Sequence, residues 1–313
     1  MGPILRLLAR LSGSVAPPLA KEEPQGEALA QMLERQPGFR VLRALGNGDH
    51  VEQLRPCAAD EQVGLAIDTE TTGLDPNEDR LIEIAAQRFI FNPDGEILEV
   101  ERVRSWMEDP GRPISDRISK LTGLSNHMLE GKRFDDVAII GALATADLMI
   151  AHNAAFDRPF LDARYPGLRY RAWACSLTQL DWLDLGFDGR ALGHLVLQSG
   201  RFFEGHRAGN DVEALTFLLS VKAADGHSVL SHLLSRCALD SFRVEAVGAP
   251  FEAKDLLRSR GYRWNPGHRF WWREIDTSQE GEEAAWLDQQ VYQGRGEAII
   301  RRITPSERFA ARD

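Results

Sequence analysis

The sequence predicts an α/β fold with a mixed central sheet, followed by a small α+β domain. Three observations carry this. From Val63 onward, apolar runs of strand length alternate with stretches of helical spacing. The first strands are joined by short polar turns, as antiparallel neighbours are, and helices come after them, so the sheet mixes directions. Beyond Ala224–His227, strand, helix and hairpin patterns succeed one another in a short span. A chain of 313 residues has room for about two domains and core enough to fold without disulfide staples.

The first 20 residues, MGPILRLLARLSGSVAPPLA, contain two arginines and no acid. They resemble a weak transit peptide or a short amphipathic helix. Arg6 and Arg10 interrupt any signal-peptide core, and Gly2 lacks the Ser or Thr that myristoylation needs four residues on. A frayed tail is therefore expected. APPLAKEEPQGE reads as a linker, EALAQMLERQ as a helix and FRVLRAL as a strand. Residues 1–62 thus form an N-terminal tail and an extension packed on the α/β domain.

VGLAIDTE is a strand, DPNEDR a polar turn, RLIEIAAQRFIFN a longer strand and GEILEVERVRSW a third. FDDVAIIGALATA is helical, LMIAHN runs from strand into loop, AAFDRPFLDARY is helical, and DVEALTFLLSVKAA is a strong amphipathic helix. These elements make up residues 63–222, with a boundary at Ala224–His227. Residues 223–313 read as SFRVEAVG (strand), FEAKDLLRSRG (helix), YRWNPGHRFWWREI (hairpin), EEAAWLDQQVY (helix) and EAIIRRIT (strand).

Composition excludes several classes. Cys57, Cys175 and Cys237 lie far apart with no CxxC or Cys/His metal spacing, so neither a zinc site nor a disulfide framework is expected, and a reducing, cytoplasmic setting is. No apolar run is long enough to span a bilayer. The formal charge is −10, yet Ser241–Arg273 carries seven Lys or Arg against three acids and is locally +4, leaving −14 elsewhere. The basic patch is confined to the C-terminal part.

The strand VGLAIDTE ends in Asp68 and Glu70. Residues i and i+2 of a strand share a face, so the two carboxylates project together and Thr69 points away. Adjacent anions repel, and burial raises the cost of ionising both. No Lys or Arg lies between Leu65 and Asp79 to compensate. A divalent metal would, and hard oxygen ligands suit Mg²⁺ or Mn²⁺. Gly73 and Pro76 fit equally well with a solvated strand end and a turn.

Two further segments decide between these. AHNAAFDRPFL carries Asp157 after a strand, and HRAGNDVEALTFLL carries His206 and Asp211. His206 and Asp211 are five apart, about 140° around a helix, and cannot share a face of one. Asp211 in a first helical turn and His206 on the loop before it is the expected geometry. A histidine there can move toward a metal-held water.

With these segments in hand the chain resembles the DEDDh class of 3′→5′ exonucleases, which includes the proofreading (epsilon) subunit of bacterial DNA polymerase III. DTETTG at Asp68–Gly73, HNAAFD at His152–Asp157 and HRAGND at His206–Asp211 match in order and spacing, and ISKLTGLS at Ile118–Ser125 resembles an intervening loop. The resemblance covers roughly half the chain, Val63 to Lys222, and no acid or histidine of the pattern is missing. It implies a ribonuclease H-like exonuclease fold and two Mg²⁺ or Mn²⁺ ions held by Asp68, Glu70, Asp157 and Asp211. Asp68 would bridge both ions, Glu70 and Asp211 would complete the nucleophile-side site, and Asp157 would serve the second. His206 would be the general base. A free histidine titrates near ~6.5, close to the operating pH that role requires. Thr71, Thr72 and Gly73 would bring main-chain groups to the 3′-terminal nucleotide, Leu74 and Phe156 would wedge against or stack on its base, and Asn153 would be structural or touch a phosphate.

Other residues read as structural. Phe156 and Phe160, at i and i+4, also suit a shared core. Glu83 alternates with core residues and is expected on a sheet edge. QLDWL, Gln179–Leu183, reads as an ordinary helix rather than a clamp-binding peptide. In the C-terminal domain, Lys254 and Arg258 share a helical face, and Arg260, Arg263 and Trp264 lie close by in sequence. Basic residues interleaved with aromatics suit single-stranded nucleic acid. The spacing also resembles a short module of some DNA-remodelling helicases and phage proteins. The tryptophans suit a small core equally well, with at least one of Trp271 and Trp272 pointing inward. The expected function is 3′→5′ removal of nucleoside monophosphates from single-stranded or frayed DNA ends in proofreading or repair. RNA is the alternative polymer. A non-catalytic binding module would require a lost ligand, and a DNA polymerase or helicase is a further expected partner.

Overall fold

The computed structural model describes residues 25–46 and 48–310. The expectations for residues 1–20 lie outside the described residues. The chain divides into two units, Met1–Arg43 and Ala44–Asp313. In the first, helix α1 (Gln25–Glu34) presents Glu27 and Glu34 to the Arg43 guanidinium at 2.8 and 2.7 Å. The expected strand FRVLRAL is reduced to Arg43–Ala44.

The second unit is built on a six-stranded mixed sheet. Strand β1 (Gln62–Thr71) pairs antiparallel with β2 (Leu81–Phe91), and β2 pairs antiparallel with both β3 (Ile97–Val100) and β4 (Arg104–Met107). On the other side, β5 (Leu148–Ala151) and β6 (Ala172–Cys175) continue parallel to β1. The single expected strand GEILEVERVRSW is thus two. The chain breaks at Glu101, whose buried carboxylate takes Arg88 at 2.7 Å and Arg104 at 2.9 Å.

Alternation along β1 sorts its side chains between two cores. Helices α2 (Asp116–Thr122) and α3 (Asn126–Leu129) follow β4 in the chain. Leu65 and Ile67 join Met149 and Trp173 under helices α4 (Asp136–Ala144) and α5 (Ala154–Arg164). Ala66 joins the opposite cluster, with helices α6 (Leu192–Gln198) and α7 (Ala208–Ser220). The strand end between the two cores carries the expected site.

Helix α8 (Val229–Cys237) corrects the expected boundary at Ala224–His227. Val229, Leu230 and Leu233 are fully buried in the α7 cluster. Ser228 caps the helix through Ser231 N–H at 3.0 Å and donates its hydroxyl to Gly95 O at 2.6 Å. Gly95 has φ +77°, and a Cβ there would come within 2.5 Å of the Ser231 nitrogen. The lobe built on the six-stranded sheet therefore extends through Cys237. QLDWL is a run of turns, not a helix; it buries Trp182, whose indole N–H donates to Ser176 O at 2.9 Å.

After α8 comes a four-stranded antiparallel sheet of order β8–β9–β7–β10, where β7 is Ser241–Ala246, β8 Arg263–Asn265, β9 Phe270–Asp276 and β10 Ile299–Ile303. One face, with Val244, Ala246 and Ile275, packs on α9 (Lys254–Ser259) and α10 (Glu280–Trp286). Trp271 packs against this core as expected, and Trp272 points to the opposite face, beneath the Arg243 guanidinium. The last described residues return to the first lobe. Arg158, buried on α5, donates to Arg308 O at 2.5 Å and Ser306 O at 2.7 Å.

Candidate active site

Asp68 and Glu70 project from the end of β1 on the Ala66 side, toward the first turn of α7. Asp211 lies in that turn. One carboxylate oxygen from each of the three falls within 4.8 Å of the others. Asp157 reaches the strand end from the other face, through the first turn of α5, and is 2% exposed. Its Oδ1 accepts the Thr69 main-chain N–H at 3.0 Å and the Thr69 hydroxyl at 2.8 Å. It lies outside the group of three.

Crowding these acids holds their protons. Burial raises Glu70 to about 8, helped by Asp211, Glu83 and Asp157. Asp68 is pushed well above the carboxylate range by burial and by the same neighbouring anions. Burial also raises Asp157, against the pull of its Thr69 hydrogen bonds, and raises Asp211 against the main-chain N–H groups of its own loop. Such a set is starved of positive charge, and hard oxygens at this spacing suit divalent cations.

His206 is exposed on the loop preceding α7, with φ +66°. Few non-glycine residues adopt this left-handed conformation, and here it turns the chain directly before the helix. The next residue, Arg207, donates its N–H to Asp211 Oδ2 at 3.1 Å, and its guanidinium reaches Glu83 at 3.2 Å. Glu83 is not on an edge. It is 1% exposed on β2, which has neighbours on both sides, and stands in register with Glu70.

The expected substrate residues gather around the same strand end. Thr71 is buried and donates to Gly73 O. Thr72 donates to Asp79 Oδ1 at 2.9 Å, and a Cβ on Gly73 would collide with the Asp79 carboxylate. The DTETTG turn is thus pinned by Asp79, itself held by Arg112 at 3.3 Å. Leu74 is 83% exposed. Phe156 is half-buried against Phe160, ring centroids 5.3 Å apart, so it keeps one side open. Asn153, with φ +115°, caps α5 without a side-chain hydrogen bond.

The profile of the exonuclease family matches residues 65–218. The DNA polymerase III subunit epsilon of Treponema pallidum is 32% identical over 178 residues, which is 52% of this chain and 80% of that protein. The chain belongs to the exonuclease family. The DNA polymerase III PolC-type of Thermotoga petrophila is 33% identical over 176 residues, 50% of this chain but 12% of that protein. The chain thus spans about a tenth of the length of the PolC-type relatives. Among solved structures, exonuclease X in complex with 5′ overhanging duplex DNA aligns with 54% of this chain and 99% of its own, at 23% identity and a TM-score of 0.37.

Sequence reading missed three supports of this candidate site. Glu83 was visible only as a charge inside an apolar run. Arg207 sat between two motif residues without a partner in sequence. His152 holds the loop before α5: its Nε2 lies 2.9 Å from Arg190 O and must donate there, so Nδ1 accepts from Ser176 Oγ at 2.8 Å.

The C-terminal candidates separate onto two faces. Lys254 lies 4.3 Å from the Phe251 ring centroid, and Arg258 lies over Trp271, which touches Trp264 at 5.6 Å. Arg260 is not available to a ligand as expected. It is held by Glu283 at 3.0 Å and Glu282 at 3.1 Å, over Trp286. Arg263 lies on the opposite face, over Trp272.

Proposed function

We propose that this protein is a metal-dependent 3′→5′ exonuclease that hydrolyses the terminal phosphodiester of single-stranded or frayed DNA and releases nucleoside monophosphates. The convergence of Asp68, Glu70 and Asp211 within 4.8 Å carries the reading. Asp68, Glu70 and Asp211 would hold one Mg²⁺ or Mn²⁺ ion, and Asp157, with Asp68, a second. Two such ions, when bound, offset the charge on the attacking and leaving oxygens of a phosphoryl displacement.

The chain's own residues do the rest. His206, exposed on its loop, takes the proton of the attacking water. The water oxygen bonds to phosphorus, the bond to the 3′ oxygen of the preceding nucleotide breaks, and that oxygen takes a proton from solvent water as the new 3′ hydroxyl. Thr71–Gly73 cradle the terminal nucleotide through the main chain, with Leu74 and Phe156 on either side of its base. Arg207, anchored by Glu83, fixes the loop that presents His206.

DNA is favoured by the names of the epsilon and PolC-type relatives. Among the described residues no helix is long and apolar enough to cross a membrane, and a cytoplasmic setting belongs to the same proposal. The test is hydrolysis of sequence-matched, 5′-labelled DNA and RNA oligonucleotides with Mg²⁺ or Mn²⁺. A ladder shortening from the 3′ end on DNA supports the reading. Cleavage of RNA alone would reassign the polymer, and no 3′ shortening on either would end it.

A further inference from the structure

The face of the C-terminal sheet that turns away from α9 and α10 borders a cavity of about 960 Å³. Its other wall belongs to the nuclease lobe, including Ala155 and Pro159 of α5 with Thr178 and Gln179 beyond β6. Register builds the sheet wall. Arg263 pairs with Trp272 and Trp272 with Glu245, so one row crosses three strands; the next row is Glu274, Arg243 and Arg301. Side chains on this face, with Phe270 from the neighbouring row, stack in a ladder. Arg243 lies 5.8 Å from the Phe270 centroid and 4.4 Å from Trp272, and Arg263 lies 5.9 Å from Trp272.

Six arginines and four carboxylates line the cavity. Each carboxylate is already engaged. Glu245 meets Arg243 at 2.9 Å and Arg301 at 3.5 Å, Glu274 meets Arg308 at 2.9 Å, Asp276 meets Arg236 at 3.5 Å, and Asp240 meets Arg302. Arg263 has no carboxylate partner among the described residues, and Arg301 is 61% exposed. The surplus charge is positive in a chain of net −10.

From this arrangement we infer that the cleft between the sheet face and α5 is a track for single-stranded polynucleotide, holding the part of the strand that lies 5′ of the nucleotide being removed. The inference rests on the nuclease reading. Phosphates would lie against Arg263 and Arg301, and bases against Trp272 and Phe270. Aromatic faces with interleaved cations bind single strands without regard to sequence. Ala155 and Pro159 sit on the side of α5 away from Asp157, so the strand leaves the carboxylates across the exposed N-terminal end of that helix, past Asn153. This face differs from the one that Lys254, Arg258 and Trp264 present.

The experiment uses the full chain carrying Asp211→Asn, so that bound strands are not degraded. Fluorescence anisotropy over a salt series compares labelled oligothymidylates of about 4 and about 16 nucleotides, the range of single-strand site sizes. Arg263→Ala with Arg301→Ala is expected to weaken the long strand and flatten its slope of log K against log salt by about 1.4, at about 0.7 per phosphate contact. The short strand is expected to keep its affinity. Arg301→Gln alone, at an exposed position, is expected to give about half that change in slope. An unchanged slope for the long strand in both variants overturns the track. So does equal weakening of both lengths, or a larger loss from Lys254→Ala with Arg258→Ala. If the unmutated protein degrades no oligonucleotide while the long strand still depends on Arg263 and Arg301, the nuclease reading fails, and with it the placement of the strand 5′ of a removed nucleotide, while strand binding by the cleft is upheld.

Discussion

Glu70 and Glu83 stand directly opposite each other across the β1–β2 pair. Like charges at one rung destabilise a sheet, and Glu83 is buried. Arg207 answers both. Its guanidinium binds Glu83 at 3.2 Å, its charge favours ionised Glu70, and its main-chain N–H holds Asp211. One residue thus braces the strand that carries Glu70 and the helix that carries Asp211. Glu83→Gln keeps the shape but frees Arg207. It is expected to lower turnover and Mn²⁺ affinity by about 10–100-fold, as loss of a group supporting metal ligands does. Wild-type values for both would show that the brace is idle.

His206→Ala is expected to lower turnover by roughly 10²–10⁴-fold, the range for a lost general base, and to leave Mn²⁺ binding intact. His206 is exposed and stands outside the three-carboxylate group. Calorimetry showing lost metal binding in this variant would make His206 a ligand.

Metal-free protein should lose stability as pH rises from 6.5 to 8. Glu70 is raised from 4.5 to about 8, so the folded state keeps a proton that the unfolded state releases. That contribution is fully present below 4.5 and is lost as pH rises through 8. His152 acts the other way. Burial lowers it from 6.5 to about 4, so its contribution is present above 6.5 and lost as pH falls through 4. Of these two groups, only Glu70 changes its contribution between 6.5 and 8. Melting in EDTA should therefore move to lower temperature across this window, and the increment from added Mn²⁺ should grow, because the ions displace the protons. A flat or rising Tm in EDTA would contradict the crowding.

Ending the chain at Ile303 should destabilise the whole lobe. Arg158 is 1% exposed and would lose the carbonyls of Ser306 and Arg308. A buried charged group stripped of hydrogen bonds costs about 1–3 kcal/mol or more. Differential scanning calorimetry should show a lower Tm for the shortened chain, and an unchanged Tm would mean that the C-terminal return is ornamental. An earlier stop, after Lys222, is expected to be insoluble because it removes α8 from the core.

The carboxylates were legible because strand alternation and helix start positions are local rules. Asp68 and Glu70 share a face by spacing, and Asp211 fell in a first turn by its neighbours. Glu83 was not legible, since an apolar run does not say how many strands flank it. The boundary at Ala224–His227 misled because its Asx turn looks like a linker, while the contact that decides the matter, Ser228 with Gly95, spans 133 positions. Lys254 and Arg258 stood out as an i, i+4 pair. Arg243, Trp272, Arg263 and Arg301 come from four strands, and only the register aligns them.

The most direct test of the account is a metal titration of strand hydrolysis by the intact protein beside Asp68→Asn, a change that removes one charge and keeps the shape. Labelled single-stranded DNA is incubated with protein stripped by EDTA, and Mn²⁺ is then returned. The expected result is no cleavage in EDTA, 3′ shortening with release of nucleoside monophosphates once Mn²⁺ is restored, and none at any Mn²⁺ concentration with Asp68→Asn, whose circular dichroism matches the parent. Shortening that persists in EDTA, or that survives Asp68→Asn, would contradict the proposal that these carboxylates act by holding metal ions.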